Sequence, residues 1–192
     1  MERRRVLQVL GAMAAAPALR SLGTTDLADI AERIHASIAK GTAPRILTAT
    51  QYAIVVAASE QIIPRTDTPG ATDAHVADFV DTMLADWYDP ADRDRFLAGV
   101  DPLATQGFAT ADASHQLALL TALDDEVTAL RGTDPHAAGE HWFGMLKFLT
   151  VWGYYTSQAG IEQELREQFL PGYYKGDVPY ASRASGGSSG AP

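Results

Sequence analysis

The 192-residue chain is 46% apolar and 20% charged, a length and composition that specify one compact globular domain. Its 15 basic and 24 acidic residues give a net charge of −9, and without residues 1–23, which hold four Arg and one Glu, the balance is 11 against 23, or −12; this argues against nucleic acid as a partner, because phosphate neutralisation needs clustered Lys and Arg. The sequence has no cysteine, which excludes disulfides, thiolate zinc sites, iron–sulfur clusters, covalently attached haem and a cysteine nucleophile, so any redox centre must be borrowed.

The N-terminus reads as an export signal. Arg3-Arg4, followed by Arg5, Val6 and Leu7, fits the twin-arginine pattern of paired arginines, one free position and two apolar residues. The apolar stretch Val6 to Leu19 is 14 residues interrupted by Gln8 and Gly11, short of the roughly 20 that span a bilayer as a helix; left uncleaved, it would attach only loosely to a membrane surface. Ala14-Ala15-Ala16 and Ala16-Pro17-Ala18 offer small residues for a signal peptidase. The expected route is the twin-arginine translocase, which carries folded cargo, and the expected location is periplasmic or exported. The domain reading is therefore a signal segment at 1–23, one helical domain with a C-terminal arm at 24–180, and a flexible Gly/Ser-rich tail at 181–192.

The spacing predicts a first, rather polar helix near 26–40, with Leu27, Ile30, Ile34 and Ile38 on one side. A second carries Tyr52, Val55, Val56, Ile62 and Ile63, is capped by Thr48 or Thr50, and ends at Pro64. Residues 64–71 form the connecting loop, with Pro69-Gly70 suited to the centre of a type II turn. Beyond it Val76, Phe79, Val80, Met83, Leu84 and Trp87 fall at i, +3, +4, +7, +8 and +11, the stripe of an amphipathic helix that closes a helical hairpin. Three Asp-Pro pairs, at 89–90, 101–102 and 134–135, each place a capping carboxylate before a residue that suits the first helical turn. The first begins a helix with Phe96, Leu97 and Val100, the second a short turn to Phe108, and the third a long helix through Trp142, Leu146, Leu149 and Trp152. A helix over 114–131 and a shorter one over 161–169 complete the set. The fold class is all-α, an irregular helical bundle with an extended aromatic C-terminal arm.

Sites for chemistry are scarce. The glycine-rich turn of dinucleotide-binding folds, a Walker loop, a Gly-x-Ser-x-Gly elbow and a His-Glu-x-x-His zinc helix are all missing from the sequence. His136, Glu140 and His141 stand at i, i+4 and i+5, so one helix can show His136 and Glu140 to a metal; they carry the alternative reading, an autonomous periplasmic helical enzyme or ligand- or metal-binding protein. His75 and His115 lie near Asp73 and Asp112 at helix starts and read as capping and solvation. Asp124, Asp125 and Glu126 read as a solvated face. Ten of the 16 aromatic residues fall between 142 and 180. The segment Pro171-Gly-Tyr-Tyr-Lys-Gly-Asp-Val-Pro-Tyr180, broken by two prolines and two glycines, is expected to run as an arm that offers Tyr173, Tyr174 and Tyr180 to a partner.

Three ordered segments, Ile62-Ile-Pro-Arg-Thr-Asp-Thr-Pro-Gly-Ala71 with Val76-Ala-Asp-Phe-Val-Asp81, then Lys147-Phe-Leu-Thr-Val-Trp-Gly-Tyr-Tyr-Thr-Ser157, then Pro171-Gly-Tyr-Tyr-Lys-Gly-Asp-Val-Pro179, together resemble the small third subunit of gluconate 2-dehydrogenases and related flavin-dependent sugar or glucoside dehydrogenases. The resemblance covers about residues 45–180; Asp177 stands where similar sequences often carry cysteine. It implies a non-catalytic small subunit that binds, stabilises and escorts for export a large FAD-dependent subunit of the glucose–methanol–choline type, sometimes with a cytochrome c subunit. FAD would belong to the partner, and this chain would hold no cofactor, metal or catalytic residue. The expected partner surface is Pro64, Arg65, Asp67, Pro69, Trp152, Tyr154, Tyr155, Tyr173, Tyr174 and Tyr180, and the expected export determinants are Arg3 and Arg4.

Overall fold

A computed structural model describes residues 24–41 and 43–165 of the chain. The signal segment with Arg3 and Arg4, the arm with Tyr173, Tyr174 and Tyr180, and the Gly/Ser-rich tail lie outside the described residues. Those described form α1 (Thr24–Ile38), α2 (Ala49–Ile62), α3 (Val76–Asp86), α4 (Pro90–Thr105), a 3₁₀ turn (Phe108–Thr110), α5 (Ala113–Thr133), α6 (Pro135–Glu140), α7 (Trp142–Tyr155) and a π-helical turn (Ala159–Glu164). No strand occurs among them, and the fold is the all-α bundle that the spacing predicts. None of the described helices is long and apolar enough to cross a membrane.

Local chemistry sets most of the boundaries. Thr48 and Gln51 form a reciprocal capping box at the start of α2, each side chain satisfying a backbone N–H of the other. Asp112 caps α5 by accepting from the His115 N–H, and Asp134 caps α6 by accepting from those of His136 and Ala137. Asp89 departs from the expected role: its side chain makes no cap bond, and Pro90 at the first helical position suffices to start α4.

Two of the Asp-Pro expectations are corrected. Asp101-Pro102 starts nothing; α4 runs through it to Thr105. Burial of Val100 and Leu103 on either side, worth about 2 kcal/mol each, outweighs the roughly 3 kcal/mol of an interior proline, and this proline sits in the last turn. Asp101 accepts a hydrogen bond from Gln51 Nε2 at 2.7 Å instead, tying α4 to α2. The helix begun at Pro135 ends after six residues and a new one begins at Trp142. His141 takes an extended conformation between them and its Nδ1 accepts from the Phe143 N–H at 3.2 Å. The break seats Trp142 edge-on against Phe96 of α4, 6.3 Å between ring centres, over Gly99, where a Cβ would collide with the indole. The last predicted helix is a π-helical turn, and Phe169 lies outside the described residues.

The core is centred on α3 and α7. Phe79, Val80, Met83 and Leu84 from one and Leu146, Leu149 and Trp152 from the other are buried. Phe79 meets Trp152 edge to face at 5.4 Å, and a Cβ on Gly153 would lie 2.8 Å from the Phe79 ring, so glycine is what lets the two helices approach. α2 packs on α3, α4, α5 and α7, which widens its buried face to Gln51, Ile54, Val55, Ala58 and Ser59, with Tyr52, Val56, Ile62 and Ile63 half-buried along its flanks. α6 lies against α5 and α7, and α1 packs on α3.

Candidate functional site

The loop between α2 and α3 is built around two carboxylates. Glu60, in the last turn of α2, accepts from the Arg65 N–H at 2.8 Å with one oxygen and from the Thr72 N–H at 2.9 Å with the other. Asp73 accepts from the Gly70 N–H at 3.0 Å and pairs with the Arg65 guanidinium. The two acids thus supply acceptors to a stretch of backbone that regular structure leaves unpaired. Inside the loop the Thr66 N–H reaches the Thr68 carbonyl at 3.0 Å, and at its end the Ala71 N–H reaches Ile63 O at 2.9 Å.

Gly70 is required here for space. Its φ is not positive, so the type II turn expected at Pro69-Gly70 is not formed; an added Cβ would run into the Glu60 carboxylate and lie 2.6 Å from the Arg65 nitrogen. Among the described residues the non-glycine with positive φ is His75, at 54°, just before α3. A histidine tolerates this left-handed conformation better than a β-branched residue. It makes no cap bond through its side chain; its Nδ1 lies 3.2 Å from Asp78 Oδ2, while the Tyr52 hydroxyl donates to the other Asp78 oxygen at 3.0 Å. Burial, and then the bond to Asp78, push the Tyr52 hydroxyl up to about 12. These three side chains edge a groove of about 330 Å³ floored by Val56, Ala71 and Ala77.

The C-terminal end of α7 braces the loop from beneath. The Tyr154 hydroxyl donates to the Pro69 carbonyl at 2.6 Å, and the Thr68 hydroxyl donates to Glu164 of the π-helical turn at 2.7 Å. Trp152 and Tyr154 are 4% and 1% exposed. Both side chains fill the bundle here, so what they offer the expected surface is support for the loop above them. Tyr155 is half-buried, and Pro64, Arg65 and Asp67 are exposed. The structure thus brings the two predicted segments, 64–71 and 152–155, to one end of the bundle, with the aromatics as floor and the loop as surface.

A third acid, missed by the sequence reading as a site residue, fixes the other approach to α2. Asp81, 3% exposed in the middle of α3, accepts from the backbone N–H groups of Arg45, Ile46 and Leu47 at 2.7, 2.9 and 2.8 Å. Arg45 adds a bidentate pair with Asp86 at 2.9 and 2.8 Å. The signal was present: Ala77, Asp81 and Leu84 share a helical row, which puts an acid on an apolar face where only a hydrogen-bonded carboxylate survives.

The histidine group of the alternative reading assembles only in part. His136 Nδ1 lies 3.5 Å from Glu140, as the i, i+4 spacing predicts, but Glu140 also faces Arg95 at 3.9 Å. His141 turns away, toward Glu126 at 3.8 Å. Among the described residues no three His, Cys, Asp or Glu side chains gather as metal ligands do. His115 supplies the backbone N–H that Asp112 caps. In the acidic run, Asp124 pairs with Lys147 of α7 at 2.5 Å rather than facing solvent alone.

Residues 49–173 match the sequence model of the family described as Gluconate 2-dehydrogenase subunit 3. The match spans more than half of the chain, and the chain belongs to that family. No curated protein and no solved structure matches it.

Proposed function

We propose that this subunit binds and stabilises a large FAD-dependent sugar or glucoside dehydrogenase of the glucose–methanol–choline type, and that residues 1–23, through Arg3 and Arg4, direct the pair to the twin-arginine translocase and the periplasm. Membership of a family of third subunits supports a heteromeric role. The observation that carries the docking site is the loop 64–71: exposed at Pro64, Arg65 and Asp67, yet fixed by Glu60, Asp73 and Tyr154. A surface already ordered before binding loses little conformational entropy on association. In this reading Tyr155 and the arm residues Tyr173, Tyr174 and Tyr180 extend the contact as aromatic anchors. In this reading FAD belongs to the partner. A cytochrome c subunit would take the electrons where the complex includes one.

The test is purification of the C-terminally tagged chain from its native background, with a flavin absorption spectrum and mass spectrometry of what accompanies it. A large flavoprotein retained at near-equal stoichiometry is the expected result; a colourless, solitary bundle at good expression overturns the reading. Replacing Arg3 and Arg4 by Lys is expected to leave both subunits in the cytoplasm.

A further inference from the structure

The groove between α2 and α3 suits an apolar ring that carries a hydrogen-bond donor. Its floor of Val56, Ala71 and Ala77 is apolar, and its volume of about 330 Å³ lies at the small end of the roughly 300–1,000 Å³ of ligand sites. Both polar groups at its edge offer acceptors. The Tyr52 hydroxyl gives its one hydrogen to Asp78 and keeps its lone pairs. An ionised carboxylate only accepts, so the His75 Nδ1 that faces Asp78 at 3.2 Å carries that ring's hydrogen and leaves Nε2 of the neutral ring as an acceptor. The phenol of a tyrosine, with an apolar face and a hydroxyl to donate, matches this pattern.

The chain itself brings such a ring to that place. The described residues end at Leu165, in a turn whose Glu164 accepts from the Thr68 hydroxyl at 2.7 Å. Thr68 is three residues from Ala71 in the groove floor, at most about 11 Å of chain. Tyr173 follows Leu165 by eight residues, a reach of up to roughly 26 Å. Between Glu167 and Asp177 the one charge is that of Lys175, and the acids at this end of the bundle, Asp78 at the groove edge with Glu60 and Asp73 in the adjoining loop, favour its sign. The family match also runs to Tyr173, so this ring lies within the same unit as the bundle.

We propose that the segment 171–176 of this same chain lies along the groove and seats Tyr173 in it, the ring on Val56, Ala71 and Ala77 and the hydroxyl donated to Tyr52 or His75. In an extended segment neighbouring side chains point to opposite faces, so a seated Tyr173 turns Tyr174 outward, beside the loop 64–71. The seat is a property of the chain by itself and does not depend on the partner assignment. Within that assignment, Tyr173 anchors the arm to the bundle, and Tyr174 and Tyr180 are the rings left for a partner.

Disulfide trapping tests the seat, since the chain has no cysteine of its own. In the full chain, Thr72→Cys, at an exposed position lining the groove, is combined with Pro171→Cys, two residues from Tyr173. The control combines Pro171→Cys with Ala129→Cys, exposed on α5 and close to Val127, which lies by Gly144 at the far end of α7. Under mild oxidation the first pair is expected to close within one molecule about tenfold faster than the control. Tyr173→Ser is expected to slow that closure about tenfold and Tyr174→Ser to leave it unchanged. A rate indifferent to Tyr173→Ser reflects the tether alone and overturns the proposal, as does equal slowing by both substitutions. A Thr72→Cys disulfide formed mainly between two molecules gives the groove a second copy as occupant and also overturns it. Should the cysteine variants lose their helical circular dichroism, hydrogen–deuterium exchange of the cysteine-free chain decides: exchange of residues 71–78 about tenfold faster in Tyr173→Ser supports the seat, and unchanged exchange ends it.

Discussion

The stretch from Glu60 to Asp81 and the stretch from Asp134 to His141 hold similar polar residues, yet they use them in opposite ways. In the first, Glu60, Asp73 and Asp81 accept from six backbone N–H groups of neighbouring loops. In the second, beyond the caps at Asp134 and His141, the side chains form only wide contacts of 3.5–3.9 Å, His136 with Glu140, Glu140 with Arg95 and His141 with Glu126. The magnitudes separate the two. A buried acceptor whose removal strands backbone donors costs about 1–3 kcal/mol for each donor left unpaired, while exposed ion pairs are worth about 0–1 kcal/mol. The first region therefore holds a shape, and the second is a solvated rim despite its metal-like residue types.

The largest effect expected from this contrast is at Asp81. Asp81→Ala leaves three N–H groups without their acceptor, two of them on the partly or fully buried Ile46 and Leu47, and is expected to destabilise the chain by about 3 kcal/mol in urea unfolding. Asp81→Asn keeps an acceptor but turns an amide NH₂ toward the same donors, so a loss of about 2 kcal/mol is expected. A loss under 0.5 kcal/mol for the alanine variant would erase the distinction between the two regions. Next is Tyr154→Phe, which removes only the hydroxyl bonded to the Pro69 carbonyl. About 1 kcal/mol of stability should go with it, and exchange of the amides in 64–71 should rise while α7 stays protected. Unchanged loop exchange would show that the carboxylates alone fix the loop.

The sequence discloses the first region's helices better than its fastenings. Val76, Phe79, Val80, Met83 and Leu84 repeat at helical spacing because one face of α3 meets the core, and Thr48 caps α2 through a bond to the N–H three residues on. Such local patterns are visible without a partner. Asp81 reaches back 34 to 36 residues to its three donors, and the Tyr154 hydroxyl reaches back 85 to Pro69; nothing in the spacing marks those pairings. The same holds for the breaks. Asp101-Pro102 reads as a helix start only until Val100 and Leu103 are seen buried on either side, and the end of α6 at His141 depends on Trp142 finding Phe96 and Gly99 in another helix. Tertiary packing overrides local signals at those points.

His141 belongs to both regions, since it caps α7 from the rim, and it offers a smaller and pH-dependent test. Its Nδ1 must be unprotonated to accept the Phe143 N–H, and burial holds its pKa below the ordinary value despite Glu126 nearby. A lowered pKa makes the cap fully effective above about pH 6.5 and weakens it as pH falls through that value toward the lowered one. The expected contribution is about 1 kcal/mol. His141→Asn retains a capping acceptor that does not titrate there, so its stability relative to the native chain should rise between pH 7.5 and 5. A constant difference between the two chains would assign the cap no role.

The smallest effect is expected where the sequence most resembles a metal site. His136 is two-thirds exposed, its ring faces Glu140 at 3.5 Å, and Glu140 is shared with the Arg95 guanidinium at 3.9 Å. A cation bound there would have to displace that guanidinium and complete its shell without His141, which faces Glu126 from the other side of the helix break. His136→Ala with Glu140→Gln should therefore change unfolding free energy by less than about 0.5 kcal/mol, and zinc or nickel at tenfold excess should not shift the melting temperature of the native chain. A metal-dependent rise in Tm abolished by the double substitution would move chemistry into the rim and revive an autonomous activity for this chain. Its absence leaves the rim as solvated surface, in contrast to the loop at 64–71 that Glu60, Asp73 and Tyr154 fix.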